Sequence, residues 1–141
     1  MQKSAIAAFL ALGLSAPAHA YDLNWSVGMQ PSAAIKNPQM KPLLDQVAKL
    51  IGPANYTLAA RWIAEGVASP INGINDFYYI NACEPHSCDM NKIVIAAGES
   101  GNDVRYPGDV AWVQMTVNGQ TQIYGGTPWQ SVLAEMQEGG Q

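Results

Sequence analysis

The segment Cys83-Glu84-Pro85-His86-Ser87-Cys88 packs two thiols, a carboxylate, an imidazole and a hydroxyl into six residues. Each chemistry these groups support makes its own demand. A dithiol redox site favours Cys-x-x-Cys, and the spacing here is wider. A structural zinc site wants four ligands, usually two close pairs, and Cys83, His86 and Cys88 have no second pair elsewhere in the chain. Catalysis by His86 needs a nucleophile and an orienting acid. Ser87 and Asp89 lie beside it in sequence, but neighbouring side chains on a tight loop do not converge as a triad does. The residues therefore predict no metal, no cofactor and no enzyme. What they suit is insertion into another molecule's cleft, by a short loop pinned at both ends, stiffened by Pro85 and led by an imidazole.

That loop needs an oxidising compartment to close, and the N-terminus points to one. Lys3 supplies a positive start, Ala5–Leu14 an apolar run, and Ala18-His19-Ala20 a small-residue cleavage pattern before Tyr21. Residues 1–20 are expected to be a removed signal peptide. The apolar run is shorter than the roughly 20 residues a membrane-spanning helix requires. Residues 21–141 are expected to form a single exported, soluble domain, with His86 its only histidine. Export makes a Cys83–Cys88 disulfide the expected state of the two cysteines.

The chain carries 11 acidic and 7 basic residues, and removal of Lys3 leaves the product more acidic still. This balance argues against nucleic acid and anionic lipid, which require basic patches. It suits a cationic protein partner, because opposite net charges speed encounter.

The elements that must position the loop follow from periodicity. Lys41–Ile51 predicts a helix, with Pro42 in its first turn, an apolar face of Leu43, Leu44, Val47, Leu50 and Ile51, and a stop at Gly52-Pro53. Tyr56–Val67 predicts a second. Tyr21–Pro38 reads as an irregular lead-in that contributes an edge strand. Strands are predicted over Asp76–Ala82, Lys92–Ala97, Val110–Val117 and Gln120–Tyr124, with Asn118-Gly119 a two-residue hairpin turn. Residues 99–108 read as a longer connection. Thr127 is expected to cap a final helix with Pro128 at its first position and Gln130 completing the capping box, and Gly139-Gly140 to end it. Trp62, Trp112 and Trp129 fall within apolar patterns and read as core. The class is α+β, helices packed on a central antiparallel sheet.

The order of these elements around Asn81-Ala82-Cys83-Glu84-Pro85-His86-Ser87-Cys88 resembles the Ivy family, inhibitors of vertebrate (C-type) lysozyme. The resemblance runs across most of Lys41–Val117 and is specific in the cysteine-bounded segment. It implies a periplasmic protein of α/β/α sandwich type with a protruding loop that plugs the lysozyme cleft. His86 would reach the catalytic carboxylates, Pro85 would shape the approach, and peptidoglycan would be protected. The chain departs from the pattern of the strongly inhibiting members in having Glu84 where they have lysine, and Ser87 where they have aspartate. The second function class that fits is a non-inhibitory module of the same fold, binding another cell-wall enzyme or a cell-wall fragment. A homodimer is left open by the sequence.

Overall fold

The computed structural model describes residues 21–99 and 109–139. Among the described residues the chain forms four α-helices and six strands. The helices are α1 (Pro31–Ala34), α2 (Lys41–Ile51), α3 (Pro53–Glu65) and α4 (Gln130–Gly139). The strands are β1 (Val67–Ala68), β2 (Asn72–Ile74), β3 (Phe77–Cys83), β4 (Lys92–Glu99), β5 (Asp109–Val117) and β6 (Gln120–Tyr124). All pair antiparallel in the order β1-β3-β4-β5-β6, and β2 shares the outer edge of β3 with β1.

Period-two alternation on the central strands explains the layering. Ile93, Ile95 and Ala97 of β4 enter one core with Val113 and Met115 of β5, covered by Leu43 and Val47 of α2 and by Ala59, Trp62 and Ile63 of α3. Val94 and Ala96 point the other way, with Trp112, into a second core closed by Val132 and Met136 of α4. Side chains buried on both faces give β4 and β5 near-continuous apolar runs. The result is the expected α+β arrangement, a sheet between two helical layers. In the second core Phe77 stacks on Trp112 at 5.8 Å, and Trp129 meets both edge-on at 5.6 Å. Such pairs contribute about 1 kcal/mol each beyond their buried area.

Helix α2 spans its predicted residues and β6 does too. Three local expectations are corrected. The lead-in supplies no strand: it folds into helical turns at Asn24–Ser26, Pro31–Ala34 and Pro38–Met40, and prolines at first-turn positions seed the last two. The edge of β3 is occupied instead by β1 and β2. Accordingly α3 stops at Glu65, and Val67 lies in β1, paired with Cys83. Helix α4 starts at Gln130 rather than at Pro128, its first main-chain bond running from the Leu133 N–H to the Trp129 carbonyl at 2.8 Å. Trp129 is drawn into the aromatic trio, and the helix runs from the residue after it. The expected signal peptide (residues 1–20), the connection at residues 100–108 and the expected helix stop at Gly140 lie outside the described residues.

Candidate functional site: the disulfide-closed turn

The loop joins β3 to β4, whose last ladder pair is Cys83 with Lys92. Cys83 and Cys88 form a disulfide, with Cα atoms 4.9 Å apart. Within it the Ser87 N–H donates to the Glu84 carbonyl at 3.0 Å, which closes a four-residue turn. Pro85 occupies the second position of this turn. His86 occupies the third, with φ of +69°. Proline followed by a positive φ is the type II pattern, whose third position normally takes glycine. An L-residue there costs on the order of 1–2 kcal/mol. The strain persists because the disulfide and the turn bond determine the conformation from both sides. Pro85 and His86 are exposed, while Glu84 and Ser87 are half-buried.

A second set of bonds fixes the base. The Glu84 N–H donates to the Asn91 carbonyl at 3.0 Å, and the Met90 and Asn91 N–H groups donate to the Ser87 carbonyl at 2.9 and 2.8 Å. The Asn91 side-chain amide donates to Glu84 Oε1 at 3.0 Å. The Glu84 carboxylate is thus engaged at the loop's base, while His86 stands at its apex. On the opposite side, Gly66 ends α3 against the loop. A Cβ at that position would overlap the Cys83 carbonyl oxygen, so only glycine permits this approach. Val67, paired with Cys83, and Met90 are two of the large apolar side chains exposed on the described surface, and they flank the loop on its two sides.

The base of the loop is tied to a neighbouring turn. The Asn118 N–H donates to Asn91 Oδ1 at 2.9 Å and the Gly119 N–H to the Met90 carbonyl at 3.0 Å. Hence the Asn118-Gly119 turn between β5 and β6 lies beside it. Sequence reasoning finds that turn and the loop separately but misses Asn91, whose only local signal is its place just before β4.

A wider concavity than the loop offers lies elsewhere. About 340 Å³ opens at the far end of β3 and β4, lined by Tyr21, Asp22, Asp76, Tyr78, Gly98, Glu99 and Asp109. The Tyr21 N–H donates to the Asp109 carboxylate there at 3.3 Å. Burial, helped by Asp109, raises the Tyr21 phenol above its ordinary pKa. Among the described residues that line this acidic hollow there is no histidine or cysteine. No group of three or more His, Cys, Asp or Glu side chains among the described residues is placed to hold a metal ion. Trp62 and Trp112 are fully buried, which removes their faces from any sugar, and no described helix is long and apolar enough to cross a membrane.

No curated relative and no solved structure matches the chain. The family described as Inhibitor of vertebrate lysozyme (Ivy) matches residues 42–135, a span that begins in α2, contains the whole disulfide-closed turn and reaches into α4. With most of the chain covered, and with the sheet and closed loop in place, this protein belongs to the Ivy family of lysozyme inhibitors.

Proposed function

We propose that this protein inhibits a C-type lysozyme by inserting the Cys83–Cys88 turn, His86 foremost, into the active-site cleft. It would act in the periplasm as the 21–141 domain, after removal of residues 1–20. The observation that carries this reading is His86: an exposed imidazole held in a strained left-handed conformation at the apex of a turn closed by a disulfide. Backbone strain held by its surroundings clusters at functional sites, and here the disulfide and turn bond hold it beneath an exposed imidazole.

The chemistry of the target fits. A lysozyme cleaves with two carboxyl groups flanking the scissile bond. A neutral imidazole donates one hydrogen bond to such a carboxylate, and an imidazolium forms a charge-assisted pair. A loop ordered before binding loses little entropy on insertion, and its bulk excludes the glycan. The Glu84 carboxylate, whose charge would oppose the target's carboxylates, is bonded to Asn91 at the base and so held back from the apex.

The test is a titration of the processed protein against a C-type lysozyme, following lysis of peptidoglycan, with His86→Ala in parallel. Stoichiometric inhibition lost in the variant supports the reading. Full inhibition by the variant, or none by the folded, disulfide-bonded wild type, rejects it. The latter result would favour the non-inhibitory alternative with another cell-wall partner.

A further inference from the structure

The bonds around Asn91 carry the contact between β4 and β5 past its last ladder pair, Lys92 with Thr116, into the two turns beyond. Each hairpin is complete by itself: β3 and β4 pair to Cys83–Lys92, and β5 and β6 pair to Val117–Gln120. There Asn91 uses both ends of its side chain, accepting from the Asn118 N–H of the other turn at 2.9 Å and donating to Glu84 of its own loop at 3.0 Å. Met90 beside it gives its carbonyl to the Gly119 N–H at 3.0 Å. Its side chain lies over Gly119, where an added Cβ would stand 3.2 Å from the Met90 methyl, and yet it remains 44% exposed. An adaptable thioether, half in solvent and seated on a rigid turn, is the kind of group enriched at protein interfaces.

We propose that the disulfide-closed turn and the Asn118-Gly119 turn form one recognition edge for the lysozyme, with Met90 as its apolar contact and Asn91 as the positioning residue. The proposal rests on the inhibitory reading above and extends it: the footprint is continuous from His86 across Met90 to Asn118, not confined to the residues between the cysteines. Asn91 acts through the other two. It sets the height of the Asn118 turn relative to the loop and holds the Glu84 side chain at the base.

The experiment uses the processed, disulfide-bonded protein and a C-type lysozyme. Inhibition constants and thermal midpoints are measured for wild type, Met90→Ala, Asn91→Ala, His86→Ala and Ile123→Ala, the last an exposed apolar control in β6. Amide exchange of Asn118 and Gly119 is followed by NMR with and without lysozyme. The expected result is about ten-fold weaker inhibition by Met90→Ala at an unchanged midpoint, with Ile123→Ala like wild type. Asn118 exchange should accelerate in free Asn91→Ala and slow in the wild-type complex. Wild-type inhibition by Met90→Ala, beside failure of His86→Ala, overturns the extended edge and leaves the loop-plug reading standing. Full inhibition by His86→Ala overturns both.

Discussion

Replacing His86 by glycine and, separately, by alanine isolates two properties that coincide at this position. Both variants lack the imidazole. Only glycine takes φ of +69° without cost, whereas alanine keeps the strain of the native backbone. The left-handed conformation costs an L-residue roughly 1–2 kcal/mol, partly offset by the extra freedom glycine has in the unfolded chain. Glycine should therefore exceed alanine in stability by about 1 kcal/mol, or about 4 °C in midpoint for a chain of this size. Binding should follow the imidazole instead. Loss of a central contact of this type costs about 2 kcal/mol, roughly 30-fold in affinity, and both variants should lose it. The assays are thermal unfolding of the oxidised protein and inhibition of peptidoglycan lysis. An alanine variant as stable as the glycine variant would refute the strained turn. A glycine variant that inhibits like wild type would refute the imidazole as the inserted group.

Four other outcomes are expected. Glu84→Gln keeps a carbonyl oxygen for the Asn91 amide and removes only charge. It should strengthen inhibition about five-fold, roughly 1 kcal/mol at an intermediate dielectric, and weaker inhibition would instead place Glu84 against a basic rim. Replacing both Cys83 and Cys88 by serine releases a short loop, costing about 2 kcal/mol in denaturant titrations, with a loss of affinity at least as large; unchanged inhibition would show that the closed turn is dispensable. Gly66→Ala drives a methyl into the Cys83 carbonyl, so stability should fall by about 1–3 kcal/mol, checked by the same titrations. Burial first, and Glu135 second, push the Tyr79 phenol up from 10.0 to about 12. Raised on folding, it favours the native state fully below pH 10 and loses that contribution as pH rises through about 12. The loss amounts to about 2–3 kcal/mol, and Tyr79→Phe should flatten the decline in stability measured across that window.

Much of the scaffold is legible in local pattern. The apolar face of Lys41–Ile51 and the proline in its first turn specify α2, because a helix stripe and its start signal are contained within the helix itself. Asn118-Gly119 specifies its hairpin because both residues accept positive φ. The matching turn at Asn75-Asp76, which also has positive φ at both residues and joins β2 to β3, is not legible in the same way. Its dipeptide is less distinctive, and β2 is only three residues long. Strands β1 and β2 exist because β3 offers them an edge, a fact about the sheet and not about Val67–Ile74. The start of α4 is displaced for the same kind of reason, since the partners of Trp129 are Phe77 and Trp112.

The site divides along the same line. The closed loop and its leading imidazole are written in the linear chain, because two cysteines with a separation of 5 and an intervening proline act over distances set locally. What the loop leans on is a matter of the folded whole. Asn91 meets Asn118 across 27 residues of separation, and Gly66 meets Cys83 only because α3 ends on β3. No propensity or spacing encodes either contact. Both come into being when the antiparallel ladder brings the β3–β4 loop and the β5–β6 turn to the same end of the sheet, where hydrogen-bonding groups close at hand must pair or face water.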